Sequence, residues 1–453
     1  MLAIVLGSVA LLAVVAPLQA ATLFVASATV VYLASLAYRV RIFVRALDDP
    51  RVIAVDDAAA RAIPSRSLPV YTILVPAYRE PEVIGRLLAS IDALEYPRDR
   101  LDVKLLLEQD DPETLAAAVA AQPGPHVEIV RVPPSEPRTK PKACNVGLAR
   151  ARGRFLTIYD AEDRPDPLQL RRAVAAFRTL DRSIACLQAK LSFHNADQNL
   201  ITKWFTAEYA MWFGQFLPGL IDAGAPIPLG GTSNHFRREV LEAVGAWDPW
   251  NVTEDADLGI RLHRAGYRTA VLESVTHEEA NSDFVNWIKQ RSRWYKGYLQ
   301  TWLVHLRDPR GLWRALGPRG FVGFNLFLGG TPLLALLNPV FWALTAVWFL
   351  ARPEVIQALF PAWLYYTSLF CLVLGNFLFL YASMIAAHTL RRPSLVVAAA
   401  LSPLYWGMMS IAAIKAALQL LTAPSFWEKT AHGLDVEPGA VPPPRPSADH
   451  AAV

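Results

Sequence analysis

The sequence predicts an α/β domain, built on an open and mostly parallel sheet, with membrane helices flanking it on both sides. Three observations carry this. Apolar β-branched runs alternate with segments of helical period between residues 70 and 160. Long apolar blocks occupy both ends of the chain, and acidic clusters stand where the β-like runs end.

The flanks come first. Of the 453 residues 53% are hydrophobic, too many for an ordinary soluble protein, and they are unevenly spread. No charge precedes Arg39, a stretch about twice what one crossing needs. Residues 1–20 lack the basic start of a secretory signal, and a second apolar stretch follows at once, so residues 1–45 read as a transmembrane hairpin. Residues 320–422 read as a C-terminal membrane region, with Pro403 able to break its last apolar stretch. Arg39, Arg41, Arg45 and Arg51 on one side, and Arg307, Arg310, Arg314 and Arg319 on the other, place the intervening block in the cytoplasm by the positive-inside rule. For a prokaryotic chain this means the inner membrane. A net charge of +4 gives no argument for nucleic acid. Cys144, Cys186 and Cys371 lie far apart with no CxxC spacing, against zinc or a disulfide framework.

The charged block, residues 50–280, supplies the alternation. "VYTILVPAY" (70–78), "VKLLL" (103–107), "VEIVRV" (127–132) and "RFLTIYD" (154–160) read as strands. Between them, "EPEVIGRLLASIDAL", "ETLAAAVAA" and a segment from about Lys142 to Arg152 read as helices. Such a sheet collects ligands at the carboxyl ends of its strands, and the acidic groups fall there. GxGxxG and GK[ST] are both missing, which removes the dinucleotide fingerprint and the P-loop.

Three constellations bear chemistry. "YDAEDRPDP" (159–167) puts Asp160, Glu162 and Asp163 on a strand-end turn, where two carboxylates can reach one hard divalent cation. Its simpler reading is a solvated turn capping the next helix. "NVTEDADLGIRLHRAGY" (251–267) offers Thr253 as a helix cap, with Glu254, Asp255 and Asp257 in the first turn. In "WIKQRSRWYKGYLQTW", helical geometry puts Gln290, Arg293 and Trp294 on one face. That face suits a phosphate and a flat ring, or a helix floating at the membrane surface.

Taken together, these motifs resemble the membrane-integrated family 2 glycosyltransferases, relatives of the cellulose, chitin and hyaluronan synthases. "VPAYRE", the strand-end acids, "KPKACNVGL", "DAE" in place of DxD, "TED" and "QRSRW" occur in that family's order across about residues 68–300. The resemblance implies a GT-A fold and transfer from a nucleoside-diphosphate sugar, UDP-linked by expectation. It implies donor contacts from Pro76, Ala77, Tyr78, Glu80, Lys140, Asn145, Asp160, Gln290 and Arg293, and from Glu108 or Asp110. Asp160 and Glu162 would hold Mg2+ or Mn2+, with Asp163 the alternative second ligand. Asp255 would be the general base and Arg293 the phosphate clamp, with Glu254 and Trp294 on the acceptor.

Residues 281–319 would be interfacial helices, 434–453 a proline-rich disordered tail, and 423–433 a gating segment using Trp427, Lys429, Thr430 and His432. The expected reaction is inverting transfer to a growing polysaccharide at the cytoplasmic face, with translocation as an extension. A non-processive enzyme acting on a lipid carrier is the alternative, and a nucleotide-sensing transporter or receptor is the non-enzymatic rival. Expected partners are the nucleotide sugar, a polysaccharide or lipid acceptor, and membrane lipids.

Overall fold

The structure is a computed structural model and describes residues 14–424 and 426–428. Among the described residues nine strands form one sheet: β1 (Val52–Ile53), β2 (Tyr71–Ala77), β3 (Leu101–Glu108), β4 (Val127–Val132), β5 (Phe155–Ile158), β6 (Arg164–Pro165), β7 (Ile184–Phe193), β8 (Asn234–Arg237) and β9 (Arg268–Glu278). Their order is β1-β9-β7-β8-β5-β2-β3-β4, with β6 on β9. The four strands read from the sequence form the parallel run β5-β2-β3-β4, in register from Tyr71 opposite Leu101 and Phe155. β8 is antiparallel to both β5 and β7. The GT-A-like, mostly parallel α/β architecture is therefore present.

Period two explains the layers. Ile73, Val75, Leu105 and Leu107 face one core with the helices Ile84–Asp92 and Gln169–Thr179. Leu74, Leu106 and Val130 face the other, with Ala143, Cys144 and Leu148 of the helix Lys140–Leu148. All eight residues of β3 are buried, as a strand covered on both faces requires.

Among the described residues, four helical stretches are long and apolar enough to cross a membrane: Pro17–Asp48, Pro309–Ala351, Ala362–Thr389 and Ser402–Thr422. Residues 17–48 form one helix; the first arm of the expected hairpin falls largely on residues outside the described ones. Arg39 is not a loop cation. It is buried 4.7 Å from the Phe327 ring centroid and donates to Thr331 Oγ1 at 2.5 Å. The last apolar stretch does break beside Pro403, into Pro393–Ala400 and Ser402–Thr422, where proline suits a first helical turn.

The helix Phe284–His305 does not float. Trp287, Ile288 and Tyr295 are buried against Tyr405, Met408 and Ala412 of the helix Ser402–Thr422. Of the expected gating residues, Trp427 is described, whereas Lys429, Thr430 and His432 lie outside the described residues, as does the tail.

Candidate active site

Because β2, β3 and β5 are parallel, Tyr78, Glu108 and Asp160 emerge at one edge of the sheet. They wall a cavity of about 460 Å3. Pro76, Ala77, Glu80, Lys140, Glu162, Glu254, Asp255, Gln290, Arg293, Trp294 and Trp427 also line it. Asp110 and Asn145 are not brought to its wall. Asp110 is instead paired with Arg138, which does line the cavity. The Asn145 amide is spent on the Trp247 backbone, donating to its carbonyl at 2.8 Å and accepting from its N–H at 3.2 Å. Glu108 reaches the wall, but Lys142 Nζ neutralises it from 2.9 Å.

The DAE turn divides its acids. Asp160 Oδ1 accepts from Lys140 Nζ, which also donates to the Gly231 carbonyl at 2.8 Å. Burial works against the Lys140 charge, yet the Asp160 and Glu254 carboxylates hold its pKa above the usual lysine value. Glu162 faces the cavity. Asp163 does not: it is 2% exposed and its Oδ2 accepts from the Asp160 N–H and from Thr232 Oγ1. Burial and the neighbouring Asp160 and Glu162 charges raise its pKa well above the carboxylate range. The alternative of Asp163 as a second ligand is therefore not favoured by geometry. Among the described residues no group of three or more histidine, cysteine or carboxylate side chains is close enough to hold a metal. Two hard carboxylates do fit an ion that completes its shell with substrate phosphates and water.

The second acid group sits at the start of the helix Glu254–Arg264. Thr253 holds the cap position, but its hydroxyl makes no capping bond and is buried without a partner. Asp255 Oδ1 instead accepts from Ala256 N–H at 2.8 Å. Gly297 of the neighbouring helix explains the tight packing: a Cβ there would collide with the Thr253 side chain. Burial lifts the Asp255 carboxyl to about 6, and burial with the Asp255 charge lifts Glu254 to about 8. Near neutrality the pair then shares one proton. Asp257 points away, to His305 Nε2 at 3.0 Å and Arg261 Nε at 2.6 Å, and locks this helix to Phe284–His305.

On that helix Gln290, Arg293 and Trp294 do share the cavity face. Gln290 accepts from Asn281 at 2.8 Å. Trp294 lies over Arg291, with 4.6 Å from Cζ to the ring centroid, and is near parallel to Tyr209. Arg291 itself makes a bidentate pair with Glu208, at 2.8 and 2.6 Å.

With this geometry in place, the comparisons can be weighed. A family model described as "Glycosyltransferase like family 2" matches residues 69–297, half of the chain. The chain belongs to glycosyltransferase family 2. Among relatives, the probable glycosyltransferase YdaM of Bacillus subtilis is 27% identical over 51% of this chain and 56% of its own length. The β-monoglucosyldiacylglycerol synthase of Synechocystis sp. is 29% identical over 62% of this chain and 60% of its own length. A probable glucomannan 4-β-mannosyltransferase of Arabidopsis thaliana is 28% identical over 51% and 43%. The chain thus spans less than two thirds of each. In fold, it is similar to the mannosyltransferase PcManGT of Pyrobaculum calidifontis, solved with GDP-Man and Mn2+, at TM-score 0.55 and 20% identity, covering 89% of this chain and 99% of that one.

Several residues that line the family 2 cavity carry no signal in the sequence reading. Arg138, Glu208, Gly230, Gly231, Thr232, Glu278 and Arg291 all belong to it or support it. "LGGTS" (229–233) was the findable one, since paired glycines before a strand mark a close backbone approach. Glu208 and Glu278 needed the tertiary fold.

Proposed function

We propose that this chain moves a hexose from a nucleoside-diphosphate sugar, UDP-linked in the first instance, onto a hydroxyl of a membrane-borne lipid acceptor, with inversion. One observation carries the reading. Donor-side Tyr78, Lys140 and Asp160 share a single cavity with the aromatic rings of Trp212, Phe213 and Tyr295, and with Thr331 of the apolar stretch Pro309–Ala351. A hydroxyl approaching Asp255 from that side comes from among the apolar helices. The likeness to a protein named for a glucosyldiacylglycerol product supports the same acceptor class.

In this reading Tyr78 packs on the base, and Lys140 and Arg293 hold the diphosphate oxygens, Arg293 through its planar fork. Asp160 and Glu162 would hold Mg2+ or Mn2+, which when bound neutralises the leaving diphosphate. Asp255 takes the acceptor proton as the oxygen attacks the anomeric carbon. Attack opposite the leaving group turns an α-linked donor into a β-linked product. Glu254, carrying its proton, donates to the acceptor. The apolar helices span the membrane, residues 50–280 lie in the cytoplasm, and 281–319 bridge them, as the flanking arginines favour.

A growing β-linked polysaccharide is the second reading. Trp294 borders the cavity, where an indole suits a sugar ring, and the likeness to the glucomannan relative supports it. Membranes incubated with a panel of radiolabelled nucleotide sugars separate the two. A lipid acceptor gives label of discrete mobility in the organic extract. Label found only in long, extraction-resistant polymer replaces the first reading with the second, and no labelled product from any donor overturns both.

A further inference from the structure

A second cavity, of about 300 Å3, opens at the other end of β5 and β8 and is lined by Arg154, Arg178, Arg182 and Arg237, with Phe155 and Phe177 among its apolar residues. β5 starts at Phe155 and leads to Asp160, while antiparallel β8 leads from Thr232 to Arg237. The five residue steps from Phe155 to Asp160 place the two cavities roughly 15 Å apart. No residue of the apolar helices lines this one.

Arg237 is the telling residue. It is 5% exposed, stacks 4.7 Å from the Phe177 centroid, and donates Nε to the Ile184 carbonyl at 3.0 Å and Nη2 to the Phe177 carbonyl at 3.1 Å. Its Nη1 makes no hydrogen bond to the described residues, yet is not sealed off from the cavity. Burial, then the Arg154 charge, hold its pKa below the usual arginine value. The acids that act on it, Glu239 and Asp181, form no ion pair with it; Asp181 turns to the Ser183 N–H at 2.8 Å and to Arg268 at 3.8 Å. Arg178 donates to the Ser67 carbonyl at 2.6 Å. Among the described residues, the Arg154 and Arg182 side chains make no hydrogen bond or ion pair. Four arginines therefore line one cavity whose lining holds no carboxylate: Arg154, Arg178 and Arg182 are exposed and Arg237 is buried. A buried cation such as Arg237 with no carboxylate partner is costly unless an anion completes the charge balance.

We propose that this cavity is a binding site for a small soluble inorganic phosphate anion of about the size of pyrophosphate. Planar guanidinium forks match phosphate oxygens two at a time. The volume is at the bottom of the range of ligand pockets, which sets the upper size.

The test is calorimetric titration of inorganic pyrophosphate into the full-length, detergent-solubilised enzyme, with and without excess UDP to occupy the transfer site. The expected result is one pyrophosphate site per chain that persists with UDP present. It weakens at least tenfold in the double variant Arg154→Gln/Arg182→Gln, whose side chains are exposed and make no hydrogen bond or ion pair among the described residues. UDP affinity stays as in the parent chain. Arg237 is left intact because it satisfies two buried carbonyls. No UDP-insensitive binding, or such binding at equal affinity in the double variant, overturns the proposal. So does equal binding of chloride at matched ionic strength.

Discussion

Arg293 donates Nη1 to the backbone carbonyl of Glu428 at 3.0 Å, and the Trp427 ring centroid lies 4.9 Å from its Cζ. The segment after the last apolar helix is thus laid over the arginine expected to clamp phosphate. It is held from its other side too: the Glu428 carboxylate accepts from Lys415 at 2.8 Å and Gln419 at 3.1 Å, and Lys296 Nζ donates to the Phe426 carbonyl at 2.5 Å. In the proposed reading a donor diphosphate would draw on the same guanidinium as the Glu428 carbonyl.

Two variants separate clamp from cover. Arg293→Lys keeps the charge but loses the fork, and turnover is expected to fall at least tenfold. Trp427→Ala removes the ring laid over Arg293; if that ring covers a bound donor, donor KM rises roughly fivefold, the equivalent of about 1 kcal/mol. If Trp427 is only an interfacial anchor, donor KM stays at its wild-type value in steady-state assays of UDP release.

The pH dependence has a defined sign. With the Asp255 carboxyl lifted to about 6 by burial, its basic form is lost as pH falls through 6, and kcat falls with it. Lys140 lowers that pKa, so Lys140→Met should move the acidic limb of the kcat profile to higher pH. Asp255→Asn should bind donor normally and lose transfer by about 100-fold or more at every pH. A wild-type acidic limb in Lys140→Met would detach Asp255 from the limb.

How much of this was legible in the sequence follows from what kind of signal each part leaves. β2, β3 and β5 were readable because buried parallel strands are apolar on both faces, as in "TILV" and "KLLL", and β4 because its "VEIVRV" alternates at the sheet edge. β7, β8 and β9 were not placed, since their partners lie far away in the chain: Cys186 faces Phe236, and Gln188 faces Val271. The motif residues were legible as types and order. Their partners were not, and those partners decide what each does. Asp163 looks like a neighbour of Glu162 on paper, but Thr232 turns it into the core. Asp257 resembles a spare base until His305 and Arg261 claim it.

Gly297 tests the packing beneath the acid pair. Gly297→Ala forces a methyl group into Thr253, and overpacking of this kind costs about 1–3 kcal/mol. Because Thr253 directly precedes Glu254 and Asp255, kcat should drop along with the melting temperature. Gly85→Ala, on the helix Ile84–Asp92 with open space at its Cβ, is the control and should be neutral or stabilising by up to about 1 kcal/mol. Equal melting temperatures for the two variants would show that the helices adjust without cost.

The metal assignment gives the last prediction. Chelator is expected to abolish transfer, and added Mn2+ or Mg2+ to restore it. Asp160→Asn and Glu162→Gln should each weaken Mn2+ binding, read by electron paramagnetic resonance, with little change in melting temperature, since both side chains border the cavity. Asp163→Asn should behave in the opposite way. Its Oδ2 takes both the Asp160 N–H and the Thr232 hydroxyl in a buried setting, and an amide would put an NH2 donor at the Oδ1 position, which is buried with no hydrogen-bond partner among the described residues. The expected loss is about 1–3 kcal/mol of stability, with Mn2+ affinity reduced only as far as the turn loosens. Thr232→Val, which removes the hydroxyl and leaves every carboxylate in place, should reproduce the stability loss without touching a ligand. If Asp163→Asn instead abolishes Mn2+ binding while Glu162→Gln leaves it intact, Asp163 is the second ligand, and the turn must reorganise when the ion binds.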